Sequence, residues 1–234
     1  DAAWDPARDA LLTERYDSEH LGDKARNTAV LRRRLGLEAK PRAPLFCVVS
    51  RLTQAKGIDL ALQALPAILS GGGQLALLGT GDAALESAAR AVAAAHPGQV
   101  AAVIGYDEPL AHLVQAGSDA ILVPSRTEPC GLTQLYGLRY GTVPIVARVG
   151  GLADSVIDAN QAALSDGVAT GLQFAPDSAP ALRDAIARAL ALYAQPEVWR
   201  ALQRRGMTRN FGWRSAARHY VALYQSLVKQ SLAA

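Results

Sequence analysis

Residues 120–147 read AILVPSRTEPCGLTQLYGLRYGTVPIVA, and this stretch decides the fold class. It opens with the apolar run 120–123, closes with the apolar run 143–147, and carries a polar loop and a helix-like segment between them. Strands without polar alternation are buried on both faces, and a helix that joins two of them is the unit of a parallel sheet. The stretch therefore predicts a strand, a loop, a helix and a second strand.

The same alternation extends over most of the chain. Apolar runs recur as LFCVV (45–49), QLALL (74–78), VAAVI (100–104), AILV (120–123), VPIVA (143–147) and, more weakly, GLQF (171–174). Helical patterns lie between them, and further helices are expected at 181–193, 197–208 and 213–228. Pro66 should kink or break the first helix near Leu65. We therefore predict an α/β fold, a Rossmann-like parallel sheet with helices on both faces.

Composition excludes several classes of protein. The chain has 234 residues, 50% of them hydrophobic, and a net charge of only +3, which does not indicate nucleic-acid binding. No apolar run approaches the roughly 20 residues that span a membrane, so we expect no membrane partner and a cytoplasmic protein. Cys47 in a strand and Cys130 in a loop are typical of reduced thiols, although a disulfide between them stays open.

The two ends of the chain lack the strand pattern. Residues 1–44 are charged, end in KPRAP and are interpreted as a lead-in and linker, and the start on Asp1 suggests a piece of a longer protein. Residues 213–228 carry an amphipathic stripe that needs a partner: Ala217, Tyr220, Val221, Tyr224 and Leu227. The basic face of this end is either solvated or binds an anionic partner: Arg200, Arg204, Arg205, Arg209, Arg214 and Arg218.

The loop after residue 123 is the first candidate site, because ligands of open α/β sheets bind at the carboxyl ends of the strands. Glu128 lies where an acid would face a neutral polar ligand group. Gly131, Leu132 and Thr133 follow at the expected helix start, where N–H groups and a hydroxyl can cradle a phosphate. We expect one loop to hold an acid beside an anion site.

Two cations follow the first strand. Arg51 and Lys56 leave the sheet at its carboxyl edge and can reach the same crevice, where they would suit a diphosphate. A lone pair at this spacing is also typical of surface charges, but the position after a buried strand favours the site.

The second strand is followed by Gly79, Thr80 and Gly81, which open a GxGxxA pattern. Alone this is a weak sign of dinucleotide binding, and the acid expected about 20 residues on is missing, which counts against NAD. Tyr106, after the third strand, could stack on a base or simply pack at a strand end.

Several catalytic patterns are absent from the sequence. It contains no GxxxxGK[ST], GxSxG, HExxH or DxD, and its 4 histidines have no metal-ligand spacing. We therefore predict no metal and no serine nucleophile. Cys130, near a helix start, could have a lowered thiol pKa, but we do not expect it to act as a nucleophile.

With these residues in view, the sequence resembles a known family. SRLTQAKGIDL, LGTGD, the run IGYDEPLAHLVQAGSDAILVPSRTEPCGLTQLYGLRYGTVPIVARVGGLADSV and the terminal FGWRSAARHYVALY are similar to the C-terminal half of bacterial glycogen synthase and plant starch synthase. The resemblance implies a retaining glycosyltransferase of GT-B architecture that uses ADP-glucose. It also implies a cytoplasmic location, or a plastid in a plant.

The resemblance assigns roles to the candidate residues. Arg51 and Lys56 would bind the donor diphosphate and stabilise departing ADP, while Glu128 would hold glucose hydroxyls. Tyr106 would contact adenine, and no cofactor is implied. The remaining substrate-binding residues implied are Gly79, Thr80 and Gly81 beside the nucleotide, and Cys130, Gly131, Leu132 and Thr133 around the glucose and phosphate.

This sequence departs from related patterns at two positions. Tyr136 stands where related retaining enzymes often have a second Glu, as it does in the synthase family itself. Ala55 stands where members often have an aromatic or polar residue.

The resemblance also implies a domain organisation. Residues 1–44 would lead in from a missing N-terminal domain, residues 45–211 would bind the nucleotide sugar, and residues 212–234 would cross back toward the missing domain. Since that domain carries the α-1,4-glucan acceptor, this chain would be inactive alone. Two alternatives stay open: a nucleotide-binding module without catalysis, and an NAD-dependent oxidoreductase.

Overall fold

A computed structural model describes residues 3–232, apart from the side chains of residues 214–216, 219 and 229–232, and contains one six-stranded sheet. All neighbouring strands are parallel, in the order β3-β2-β1-β4-β5-β6. The strands are β1 (Leu45–Val49), β2 (Gln74–Gly79), β3 (Val100–Ile104), β4 (Ala120–Val123), β5 (Val143–Ala147) and β6 (Leu172–Phe174). The chain order reverses between β1 and β4, at the centre of the sheet.

Ten helices are found in the described residues. They are α1 (Lys24–Leu35), α2 (Ile58–Ser70), α3 (Ala83–Ala95), α4 (Glu108–Gly117), α5 (Thr133–Arg139), α6 (Gly150–Ser155), α7 (Gln161–Ser165), α8 (Ala179–Tyr193), α9 (Pro196–Thr208) and α10 (Trp213–Leu232). Short 3₁₀ helices cover Leu21–Asp23 and Gln54–Lys56.

Helices cover both faces of the sheet because its side chains alternate between two apolar layers. On β1, Phe46 and Val48 pack toward α2, α8 and α9. Leu45 and Cys47 of the same strand pack on the opposite face, with α1, α4 and α6. Burial on both faces explains why the strands are apolar throughout.

The predicted α/β class with a Rossmann-like parallel sheet is confirmed. Four of the six apolar runs have the observed strand bounds, and the other two differ by one residue at one end. Of the kink or break expected near Leu65, the break does not occur, because α2 continues through Pro66 to Ser70.

Most of residues 1–44, interpreted from the sequence as a lead-in and linker, is folded onto the domain. Helix α1 packs against α4. Ahead of it, the ring of Trp4 stacks between His112, at a centroid distance of 3.7 Å, and Tyr136, at 4.0 Å. Asp9 is buried and accepts a hydrogen bond of 2.6 Å from the Tyr140 hydroxyl.

Helix α10 exposes the apolar side chains of its predicted stripe. Tyr220, Val221, Tyr224 and Leu227 are each more than half exposed. The side chain of Arg214, part of the predicted basic face, lies outside the described residues. Among residues 3–232, no helix combines the length and apolarity that a membrane crossing requires.

Candidate active site at the carboxyl edge of the sheet

The strand order brings the loops after β1 and β4 side by side. These strands are neighbours at the point where the order reverses. In open α/β sheets the loops diverge at this point and leave a crevice for a ligand. Arg51 and Lys56 on the first loop and Glu128 on the second therefore lie at the same edge of the sheet, as the sequence predicts.

Lys56 and Glu128 form the central contact of the crevice. The Lys56 ammonium donates to the Glu128 carboxylate, and the side chains are 22% and 12% exposed. Ser125 also donates to the same carboxylate oxygen, at 3.2 Å. All three residues line a cavity of about 20 Å³, roughly the space of one water molecule. The crevice thus holds one cation and one anion in direct contact.

The loop that carries Arg51 is fixed by the loop after β2. Leu52 donates to Thr80 O at 2.9 Å, and Asp82 donates back to Leu52 O at 2.8 Å. A Cβ on Gly79 would lie 1.9 Å from Ser50 O, and one on Gly81 would lie 2.3 Å from Leu52 O. The two glycines are therefore needed for contact between these loops, and they set the backbone position of Arg51.

The Glu86 carboxylate binds hydrogen-bond donors of the turn at residues 79–81. Its carboxylate accepts hydrogen bonds from the Thr80 hydroxyl at 2.7 Å and from Gly81 N at 3.0 Å. These bonds, with Gly81 N first, lower the pKa of Glu86. In a dinucleotide site, donors of this turn would face a pyrophosphate. Here they already bind a carboxylate, which disfavours the NAD alternative.

Arg126 joins two loops to the start of α2 and was not assigned a role from the sequence. Its guanidinium binds Asp59 at the start of α2 through two bonds of 2.8 Å and binds Asp177, after β6, at 2.6 Å. The bond to Asp59 raises the pKa of Arg126 and lowers that of the Asp59 carboxyl. The clamp holds the Glu128 loop against the Lys56 loop. The only sequence signal for it is an arginine two residues before Glu128.

The predicted anion cradle lies at the start of α5. The backbone N–H groups of Gly131, Leu132 and Thr133 have no acceptor in the part of the chain that the structure describes. Gln134 shapes this turn because its amide donates to Cys130 O at 3.1 Å and to Gly131 O at 3.0 Å. The Cys130 thiol is free and exposed. Gly131, Leu132 and Thr133 thus lie at a helix start, where the sequence predicts them.

The loop after β5 supports the cradle from the other side. Gly151 donates to Glu128 O at 3.1 Å. A Cβ on Gly150 would lie 2.2 Å from Glu128 O, and one on Gly151 would lie 2.2 Å from Cys130 O. This close backbone contact fixes the segment that carries Glu128.

Tyr106 lies apart from the other candidates. It follows β3 at the sheet edge, two strands from β1, and its ring is 85% exposed. Its hydroxyl donates to Glu108 at 3.1 Å, which raises the Tyr106 pKa. Among the side chains that the structure describes, no group of three His, Cys, Asp or Glu residues could hold a metal ion.

Comparison with known proteins identifies a family model and relatives that match most of this chain. A family model described as glycosyl transferases group 1 matches residues 33–205. A glycogen synthase of Rhodopseudomonas palustris (strain TIE-1) is 57% identical over 97% of this chain and 47% of its own length. One from Edwardsiella ictaluri (strain 93-146) is 55% identical over 97% and 48%. The chain thus spans about half the length of the curated relatives it matches.

Two solved structures also match most of this chain. The catalytic domain of starch synthase IV from Arabidopsis thaliana bound to ADP and acarbose matches with a TM-score of 0.89 and 34% identity, over 97% of this chain and 47% of that one. Sucrose-phosphate synthase from Thermosynechococcus elongatus matches with a TM-score of 0.61 and 27% identity, over 86% and 49%. The fold is therefore shared with about half of each of these proteins.

Proposed function

The chain belongs to the group 1 glycosyl transferases, and from this we propose that it is the donor-binding half of a glycogen or starch synthase. The complete enzyme transfers glucose from ADP-glucose to the non-reducing end of an α-1,4-glucan with retention. Glycogen synthases at 53–57% identity and a starch synthase structure with bound ADP support this proposal.

The observation that carries the proposal is the contact between Lys56 and Glu128 at the reversal point of the sheet. A sugar nucleotide offers a diphosphate and sugar hydroxyls, which are partners for a cation and a carboxylate respectively. In our proposal Lys56 turns to the diphosphate while Glu128 accepts hydrogen bonds from glucose hydroxyls. The ion pair is then the ligand-free form of the site. In it, each side chain occupies the position that a ligand group would take as its partner.

Arg51 completes the charge balance of the proposed donor site. It is exposed, and no side-chain partner for it is found among residues 3–232. With Lys56 and the free N–H groups of Gly131, Leu132 and Thr133, it would neutralise the charge that develops on ADP as the glycosidic bond breaks. Fixed donors and cations of this kind contribute most where charge forms in the transition state. These groups would do so without a resident metal or cofactor.

The remaining contacts of the donor follow from the loop positions. Tyr106, with its exposed ring, would stack on the adenine. Cys130 would border the glucose pocket. The segment Gly79–Gly81 would border the nucleotide through its backbone, since Glu86 already holds the Thr80 hydroxyl.

The acceptor lies outside this chain in our proposal. We propose that residues 45–211, together with the N-terminal segment folded onto them, form the nucleotide-sugar domain. A glucan-carrying domain would lie ahead of residue 1, and residues 212–234 would return to it. Transfer then requires both domains. The chain alone would bind donor without elongating glucan.

Calorimetric titration of ADP, ADP-glucose, UDP-glucose and NAD into the 234-residue chain tests the proposal. We expect ADP and ADP-glucose to bind and NAD to show no heat above dilution. Arg51→Ala should weaken ADP binding by about tenfold, as expected for a lost charge-assisted contact. The control is Arg183→Ala, an exposed arginine of α8. Preference for NAD would overturn the assignment.

A chimera separates the transferase from a binding module without activity. The N-terminal half of the Rhodopseudomonas palustris relative would be joined to this chain, and incorporation of labelled glucose into glycogen measured. We expect elongation by the chimera, none by the chain alone, and about 100-fold less in the chimera with Arg51→Ala. A chimera that folds and binds ADP-glucose yet transfers no glucose would favour the binding module.

A further inference from the structure

A groove of about 1320 Å³ lies at the amino ends of the strands, on the opposite edge from the candidate active site. Pro44, Gly71 and Asp119, which precede β1, β2 and β4, mark its floor. Helix α1 forms one wall, and the end of α8 with the start of α9 forms the other. Its volume exceeds the roughly 300–1,000 Å³ of ordinary ligand pockets. The groove therefore has room for a small molecule with its bound water.

Positive charge dominates the lining of the groove. Its basic residues are Lys24, Arg32, Arg33, Arg42 and Arg200, and its one acidic residue is Asp119. Asp119 accepts a hydrogen bond from Leu45 N at 2.8 Å and lies in the field of Lys24 and Arg32. The net field along the groove is thus that of an anion site.

The basic side chains differ in whether they are already bonded. Arg32 is buried and donates to Gln74 Oε1 at 2.8 Å and to Ala43 O at 2.5 Å. Arg200 binds Glu197 at 2.8 Å. Arg33 and Arg42 are exposed and have no ion-pair or hydrogen-bond partner for their side chains within the described ranges. These two guanidinium groups are available to a ligand.

The wall from α8 and α9 provides an aromatic surface with an unused donor. Trp199 is only 5% exposed, yet its indole N–H has no hydrogen-bond partner in residues 3–232. The ring of Tyr193 meets it edge-on at 5.3 Å. Buried indole N–H groups usually have a partner. Because this nitrogen is shielded from solvent, Trp199 offers the groove the surface of its ring and not this donor.

We propose that this groove is a second binding site, for a small organic anion with a phosphate or carboxylate group and an apolar body. Arg33 and Arg42 bind the anionic group, since guanidinium matches the geometry of both phosphate and carboxylate. The apolar body packs on the wall of Tyr193 and Trp199. The site is separate from the proposed donor crevice, because the two lie at opposite edges of the sheet.

Chemical-shift titration of the ¹⁵N-labelled chain with phenyl phosphate, benzoate and phenol tests this site. We expect the two anions to shift the Trp199 indole N–H, assigned with Trp199→Phe, and the amides of Thr28 and Gly71 in the lining. Phenyl phosphate or benzoate as the tighter probe identifies the anionic group. Phenol binding as tightly as either anion would overturn the proposal, as would shifts confined to residues 50–57 and 124–133.

A double variant tests the role of the free arginines. Arg33→Gln with Arg42→Gln should weaken binding of the tighter anion about tenfold or more. The matched control replaces two other exposed arginines, Arg8→Gln with Arg183→Gln, and should bind as the wild type does. Because all four are surface residues, thermal melting should show each variant folded. Equal affinity in both double variants would contradict the proposal.

Discussion

Glu128 both neutralises Lys56 and, in the proposed complex, holds the sugar, so its replacement should separate these two effects. In Glu128→Gln the carboxylate charge that repels a diphosphate is gone and Lys56 is released. We expect ADP to bind at least as tightly as to the wild type. The preference for ADP-glucose over ADP should disappear. Calorimetry of both ligands measures this, with Glu19→Gln, an exposed acid ahead of α1, as the control.

A weaker affinity of Glu128→Gln for ADP would contradict the proposal that Lys56 leaves Glu128 to bind the diphosphate. It would indicate that Glu128 orients Lys56 toward the diphosphate.

Gly57 permits the close contact between the two central loops, and its replacement tests that contact. It has a φ of 67°, and an added Cβ would lie 1.9 Å from Pro124 O. Gly36 has the same φ of 67° with nothing within 4 Å of an added Cβ. Gly36→Ala therefore measures backbone strain alone, about 1 kcal/mol. We expect Gly57→Ala to lower the free energy of unfolding by at least about 2 kcal/mol more.

Urea denaturation measures both glycine variants. Equal losses would show that the loops can separate at little cost, and that their contact does not fix the crevice.

At the scale of single residues, the sequence predicts the charges of the site but not how they are held. Arg51, Lys56 and Glu128 follow apolar strands, so topology alone brings them to one edge. The clamp of Arg126 depends on Asp177, 51 positions away, and no local pattern connects them. Gly79 and Gly81 fit a ligand-binding pattern, yet the atoms nearest to them belong to the neighbouring loop.

Helix α1 buries a lysine, and its titration should appear in the stability of the chain. Burial lowers the pKa of Lys24 from 10.5 to about 7, against the opposing fields of Asp119 and Cys47. Above pH 7 the folded chain therefore binds fewer protons at this site than the unfolded chain. By linkage, the contribution of Lys24 to the free energy of unfolding is lowest below pH 7. It rises with pH up to about pH 10.5.

Lys24→Met removes the titrating group with little change of volume and serves as the reference. We expect the wild type to gain about 1.4 kcal/mol per pH unit relative to this variant between about pH 7.5 and 9.5. Urea denaturation at several pH values measures the difference. A constant difference would mean that Lys24 stays charged among its oxygen partners, which are Tyr16 Oη, Gln115 O, Ala116 O, Tyr140 O and Thr142 Oγ1.

At the scale of elements, the strands are predictable because burial on both faces leaves them wholly apolar. Helix α1 escapes such a prediction for the opposite reason. Its buried positions are Lys24, Asn27, Leu31 and Arg32, so only one of the four is apolar. Asn27 bonds Glu14 and Arg32 bonds Gln74, which are partners distant in sequence. A helix anchored by polar bonds to the rest of the domain shows little apolar periodicity.

The exposed stripe of α10 tests the organisation of the whole molecule. Tyr220 is 54% exposed and Tyr224 is 60% exposed. Replacing both by Ser should change the free energy of unfolding of the 234-residue chain by less than about 0.5 kcal/mol. In the chimera with an N-terminal half, the same double replacement should lower the melting temperature, because we expect the stripe to be buried there.

Calorimetric scans of both proteins make this comparison, with Gln225→Ser as the control on the same helix. A chimera unaffected by the double replacement would show that α10 does not return to the added domain.

At the scale of the whole molecule, topology explains what was predictable. Six strands of one parallel order place every loop of interest at one edge, so the crevice follows from the fold class. The groove at the other edge does not. Its walls come from α1, which carried no clear pattern, and from the junction of α8 and α9, so only the assembled domain brings Arg33 and Trp199 to one cavity.

The contact between Lys56 and Glu128 has a consequence for turnover. Once glucose has left in the proposed reaction, Glu128 has lost its hydroxyl partners while Lys56 still holds the diphosphate of ADP. Renewed pairing of the two side chains then competes with ADP for the same ammonium group. In this proposed cycle the carboxylate would act as an intramolecular competitor of the spent nucleotide, which would shorten its residence and lower product inhibition.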